Sequence, residues 1–112
     1  MGRYKEALPH LEETRRRFPR SKFAGEALWF IAYARYLLGQ HGEALPLFAE
    51  LSQRGDRLEG GKGQYWHARS LQKLKREGEA VREYRALVGR FPLSWYALLA
   101  RARLAERGEK ID

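Results

Sequence analysis

The sequence contains no cysteine, which removes disulfide frameworks, thiolate metal sites and cysteine nucleophiles together. It leaves the compartment open, because proteins of oxidising compartments can also lack disulfides. No apolar run approaches the roughly 18 residues that a membrane span requires, and the first residues do not read as a signal peptide. His10, His41 and His67 lie 31 and 26 residues apart, with no short metal-ligand spacing among them. Ser21, Ser52, Ser70 and Ser94 have neither a nucleophile elbow nor a paired base beside them. Glu12 and Glu13 follow His10 closely, but neighbouring side chains on a helix diverge. No metal, cofactor or catalytic constellation is therefore expected, and the chain reads as a non-enzyme.

Glycine is concentrated in one place, Arg54-Gly55-Asp56-Arg57-Leu58-Glu59-Gly60-Gly61-Lys62-Gly63. Glycines with a lysine can cradle phosphate at a helix start. Here no Ser or Thr follows Lys62 and no strand precedes the loop, so the segment reads as a flexible connection.

Charge of one sign dominates: 22 Lys and Arg against 14 Asp and Glu, a net +8. Such an excess favours anionic partners such as nucleic acid, anionic membrane, acidic peptide or wall polymer. The simpler reading is preferred: an arginine-rich chain solvates its outer helix faces with arginine. The basic residues are spread over every predicted helix, not gathered around an aromatic reader motif, which argues against nucleic acid as a partner.

Within these bounds the chain repeats itself. Lys5-Glu6-Ala7-Leu8, Gly42-Glu43-Ala44-Leu45 and Gly78-Glu79-Ala80-Val81 superpose, with the alanines spaced by 37 and 36 residues. Phe18-Pro19-Arg20-Ser21-Lys22-Phe23-Ala24 returns as Phe91-Pro92-Leu93-Ser94-Trp95-Tyr96-Ala97, offset by 73. Two independent markers thus share one period.

Between the markers the apolar spacing is helical. Leu28, Ile31, Ala32, Arg35 and Leu38 share one face, as do Ala68, Leu71 and Leu74. The pattern predicts about six helices, over 3–17, 22–38, 42–53, 61–75, 78–90 and 94–107. Ser21 and Ser94 are predicted N-caps. Gly39 and Gly42 bracket one predicted turn and Gly78 marks another. Glu12/Arg16 and Glu13/Arg17 are i,i+4 pairs on an exposed face. Pro9 and Pro46 both follow a marker alanine by two residues, so they should share a fate: a late helix start or a bend at both.

One helix hairpin per 36 or 37 residues predicts an all-α fold, a right-handed α-solenoid of antiparallel hairpins. The single domain 1–112 divides into a partial repeat 1–21, repeats 22–57 and 58–93, and a partial repeat 94–112. Small residues (Ala7, Ala32, Ala44, Ala68, Ala80) let paired helices approach, and Leu11, Phe48 and Tyr84 fill the space between hairpins.

Gly2-Arg3-Tyr4-Lys5-Glu6-Ala7 resembles the Gly-x-Tyr-x-x-Ala helix start of tetratricopeptide repeats. Tyr65-Trp66-His67-Ala68-Arg69, Glu79-Ala80 with Tyr84 and Leu87, and Pro92-Leu93-Ser94-Trp95-Tyr96-Ala97-Leu98-Leu99-Ala100 with Leu104 are more particular. Together they resemble the superhelical region of bacterial soluble lytic murein transglycosylases, over residues 62–105. That resemblance implies a periplasmic or cell-envelope setting and, through the remainder of a parent chain, contact with peptidoglycan. It does not imply catalysis, since nothing after Leu104 could hold the family's catalytic glutamate. The partial repeats at both ends fit a fragment or excised domain. The doubled Phe-Pro-x-Ser-x-aromatic-Ala signature also resembles periplasmic repeat proteins of outer-membrane assembly and envelope coordination.

In this architecture the first helix of each hairpin lines the concave face. Trp29, Tyr33 and Tyr36 share a stripe on the helix from 22 to 38. A shift of 36 places Tyr65, Arg69 and Gln72 at the matching positions, with Lys73 alongside. Aromatics passing into cations suit an extended peptide with a carboxylate, or a sugar chain stacked on aromatic faces. The same stripe could instead be core between hairpins. The expected function is a non-catalytic scaffold for a protein or peptide partner.

Overall fold

The computed structural model describes residues 3–18 and 22–108, with the backbone alone at 3–4, 22–24 and 54–59. Among the described residues six helices follow one another: α1 (Arg3–Arg17), α2 (Lys22–Leu37), α3 (His41–Glu59), α4 (Lys62–Lys73), α5 (Glu77–Arg90) and α6 (Trp95–Glu106). No strand interrupts them among the described residues. Short connections force sequential helices to lie antiparallel. Each packs on the one before it, and α4 also touches α6 one hairpin on. The result is an all-α solenoid of helix hairpins, 44 Å along its longest axis and 27 and 20 Å across. None of these helices is long and apolar enough to cross a membrane.

The alanines set the helix separation. Ala32, Ala44, Ala68 and Ala80 are all completely buried. Ala32 and Ala44 lie in one cluster with Tyr36 and Phe48. Ala68 and Ala80 lie in another with Tyr65, Leu71, Tyr84, Leu87, Ala100 and Leu104. A third cluster, Leu8 with Ile31 and Ala34, joins α1 to α2. These clusters stand in series: Leu47 borders the first two along the chain, and Trp66 borders the last two. Phe48, Tyr84, Leu28, Leu87 and Leu104 are the largest fully buried apolar side chains. Burying each contributes about 1.5–3 kcal/mol.

Several local expectations are corrected. The helix predicted over 42–53 runs on to Glu59 as α3, so the glycine-rich connection shrinks to Gly60-Gly61. These two glycines have φ of 64° and 90°. They are not a loose tether but sit against the next hairpin. A Cβ on Gly61 would lie 1.9 Å from Leu87 Cδ1, and one on Gly60 would lie 2.8 Å from Ser94 Cβ. Neither proline delays a helix start, since Pro9 and Pro46 both lie inside continuous helices and share their fate in that way. Both are exposed. Glu12 does not pair with Arg16; it reaches across to Arg35 on α2 at 2.5 Å. Glu13 pairs with Arg16 at 2.6 Å and with Arg17 at 3.7 Å.

Ser94 caps α6 as expected, its Oγ accepting from the Ala97 amide at 3.0 Å. The cap expected at Ser21 lies outside the described residues. Gly78 does not mark the α4–α5 turn but falls inside α5. That turn uses Lys75 at φ 64°, where the preceding repeat has Gly39 at φ 81°. Both turns close identically. Gly39 and Gln40 donate to Tyr36 and Arg35 carbonyls, as Lys75 and Arg76 donate to Gln72 and Leu71. This is a Schellman closure with a lysine in glycine's place.

Two predictions follow from the turns. Gly61→Ala should cost about 2–5 kcal/mol in denaturant unfolding, summing a left-handed backbone penalty and overpacking against Leu87. Lys75→Gly should raise stability by up to about 1 kcal/mol, because relief of left-handed strain outweighs the added chain entropy of the unfolded state.

Candidate functional site

The even-numbered helices stand close enough to touch along one side, while the odd-numbered ones leave grooves between them. The larger groove, about 870 Å³, lies between α1 and α3 over α2, lined by Pro9, Glu12, Ile31, Arg35, Leu47 and Glu50 among others. A second of about 420 Å³ is lined by Leu45, His67, Leu71, Glu79 and Glu83 at positions 36 residues on. The even helices α2, α4 and α6 therefore form the inner row.

Ion pairs close the outer grooves. Arg35 holds Glu12 at 2.5 Å and Glu43 at 2.8 Å, and donates to Gln40 at 2.8 Å. Arg15 holds Glu50 at 2.5 Å. In the second groove His67 Nδ1 lies 3.0 Å from Glu83 Oε1. The larger groove thus has Arg15 and Arg35 matched by acids from its own walls.

On the inner row the aromatic side chains form a continuous line. Trp29 stacks on Tyr33 at 5.5 Å and 14°. Trp66 of α4 sets its ring edge-on to Tyr33 and Tyr36, each at 5.2 Å. It also lies 6.3 Å from Trp29 and stacks on Phe48 at 6.3 Å. The line continues from Trp66 to Tyr65 at 5.3 Å, and from Tyr65 to Tyr96 of α6 at 5.8 Å. Such tilted and edge-on pairs are the favoured aromatic geometries.

Cations and amides flank this line. Lys62 Nζ sits 3.7 Å over the Trp29 ring, a cation–π contact. The Arg69 guanidinium donates to Gln72 Oε1 at 3.3 Å, and the Tyr84 hydroxyl donates to the same oxygen at 2.8 Å. Burial pushes the Tyr84 hydroxyl well above the ordinary tyrosine range, so it remains a donor. Arg103 Nε donates to the Tyr65 hydroxyl at 3.2 Å. His41 makes an edge contact with Tyr36 at 4.9 Å. Burial, then the nearby Lys73 charge, lowers its pKa. No group of residues suited to a metal ion occurs among the described residues.

The stripe read from the sequence is thus divided by depth. Tyr36 and Tyr65 are core, at 9% and 2% exposure. Trp29, Tyr33, Arg69 and Gln72 are half-buried at its border, and Lys73 is exposed. Solvation of the hydroxyl does not hold Tyr65 at the surface, because Arg103 satisfies that oxygen from α6. Four participants were not legible as site residues: Trp66, Lys62, Tyr96 and Arg103. Trp66 follows Phe30 by 36 residues, yet Phe30 is 57% exposed, so repeat position alone did not reveal its role.

The sequence model of a family described as tetratricopeptide repeat matches residues 1–57 and 65–112. No curated protein and no solved structure matches the chain.

The outer groove generates a pH prediction. Burial opposes ionisation of Glu83, but the hydrogen bond and charge of His67, with Gln64 and Arg90, outweigh it and lower its pKa below 4.5. A depressed carboxylate stabilises the fold above its unfolded pKa and loses that contribution as pH falls through the folded value. Glu83→Gln should therefore lower the melting temperature at neutral pH. Its deficit against the wild type should shrink below about pH 4.5; a deficit constant down to pH 3 counts against this account.

Proposed function

The chain belongs to the tetratricopeptide repeat family, and from that premise we propose that its inner row receives an extended peptide bearing a carboxylate. Tetratricopeptide repeats generally act as non-catalytic scaffolds that bind protein partners. What carries the finer reading is the junction of half-buried aromatics with cations on adjacent inner helices. Trp29 and Tyr33 offer an aromatic border on α2. Lys62, Arg69 and Lys73 line α4 beside it. Arg69 is already oriented by Gln72, which lowers the ordering cost of a charge-assisted bond. A peptide carboxylate would lie toward Arg69 and Lys73, with apolar or aromatic peptide side chains over Trp29 and Tyr33.

The setting we infer is the bacterial cell envelope, with the chain as part of a wall-processing protein. An envelope-coordinating repeat protein is the alternative. Support for both is the residue signature over 62–105 and the doubled Phe-Pro-x-Ser motif. Peptidoglycan is the further ligand that this setting suggests. The net charge of +8 gives nucleic acid a weaker claim, because the basic residues are spread along the chain and Arg15 and Arg35 are engaged with acids in the outer groove.

Calorimetric titration with a pool of short peptides ending in free carboxylates, and with the same pool amidated, tests the reading. Amidation should weaken binding at least about tenfold. Arg69→Ala and Lys73→Ala should weaken binding of the carboxylate pool only, whereas Tyr33→Ala should weaken both pools. Equal binding of the two pools by all variants sinks the carboxylate reading. Co-sedimentation with purified peptidoglycan tests the envelope setting separately. Strongly salt-dependent retention of a random oligonucleotide would favour the nucleic-acid reading instead.

A further inference from the structure

The helix at each end of the described solenoid lacks one of the neighbours that the interior helices have. In α2, residues that meet α1 (Ile31, Ala34) interleave with residues that share a cluster with α3 (Ala32, Tyr36). On α6 the set facing the preceding hairpin is filled: Ala97, Ala100 and Leu104 are buried. The interleaved set is bare. Trp95 and Leu98 are 63% and 57% exposed, and Ala102 and Ala105 are exposed behind them. The spacing 95, 98, 102, 105 is that of a helix-packing seam, with large residues at one end and small ones at the other. Leu93, just before the helix, is 99% exposed.

At the other end, α1 carries the complementary half. Ala7 and Leu11 correspond to Ala44 and Phe48 of α3 and to Ala80 and Tyr84 of α5. Those four residues are completely buried, sharing clusters with Ala32 of α2 and Ala68 of α4 respectively. In α1, Ala7 and Leu11 are only half-buried, because no even helix precedes α1 among the described residues. The end of the seam corresponds too. Phe91, at the close of α5, approaches Gly61 at the start of α4. Its counterpart Phe18, at the close of α1, is 58% exposed.

We propose that α6 of one copy receives α1 of a second copy, recreating between molecules the hairpin that α2 forms with α3 and α4 with α5. In that register antiparallel docking sets Ala7 and Leu11 against Ala105 and Ala102, the counterparts of Ala32 and Trp29, and brings Phe18 to Leu98, the counterpart of Gly61. The occupant is a second copy because the chain itself holds both halves of the seam in matching register. The contact is heterologous, so it adds copies end to end and need not close. A seam one helix wide is small, so association is weak and shows at high concentration.

Sedimentation equilibrium of the whole chain, from micromolar to near-millimolar concentration, tests this. The expected mass rises with concentration from 13.1 kDa past that of a dimer. Leu98→Arg and Ala7→Arg should each weaken self-association at least about tenfold. Mixed together they should form a one-to-one complex, since each keeps the face that the other has lost. Helical circular dichroism checks that each variant folds. Trp95→Lys and Phe18→Lys, at exposed positions on the same two faces, serve if either does not. A wild-type mass fixed at one chain overturns the proposal and leaves the seam to another helix, of a longer chain or of another protein. Loss of association by Leu98→Arg alone, with no rescue on mixing, overturns it in favour of a symmetric α6 pair.

Discussion

Helix separation at the buried alanines is the constraint on which the rest of this structure depends. Ala32 with Ala44, and Ala68 with Ala80, leave no side-chain bulk between paired helices. Larger groups must then fill the spaces between hairpins. Phe48 and Tyr84 do this from α3 and α5, both fully buried. Because each cluster is small and borders only the next, stability passes along the chain between neighbours and does not radiate from one central core. Leu47 and Trp66 are the side chains through which one cluster meets another.

That constraint also explains which parts of the fold were legible. An alanine at every 36 or 37 residues reports close helix approach directly, and Ser94 after Phe91-Pro92 reports a cap. Both depend on residues adjacent in sequence or locked to the period. The extension of α3 depends on neither. Gly55 suggested a break, yet an interior glycine costs only about 1 kcal/mol relative to alanine, and the helix continues through it. The glycines that do end the element are held by Leu87 and Ser94, roughly thirty residues away, beyond any local pattern. Arg35 was read as one more residue on an apolar face. Its acids come from α1 and α3, and only the packed hairpins bring Glu12 and Glu43 to it.

The candidate site was partly legible for a related reason. Periodicity places residues on a face but does not give their depth. Trp29 and Tyr65 hold matching positions, yet one is half-buried and the other core, because Tyr65 has Tyr84 and Tyr96 on either side. The outer surface shows the same divergence. Positions related by 36 residues carry Arg35 with its acids in one groove and Leu71 beside a His67–Glu83 pair in the next. A repeat conserves its backbone geometry while its surfaces are free to differ.

The three tryptophans occupy surfaces that do different work. Trp29 and Trp66 stand 6.3 Å apart on the inner row, with Lys62 over the first, while Trp95 lies largely in water. Indole emission moves to longer wavelength as the ring meets water and is quenched by close charged groups. The chain therefore carries its own optical labels: a signal from the shielded pair follows events on the inner row, and a blue shift of the third follows coverage of α6.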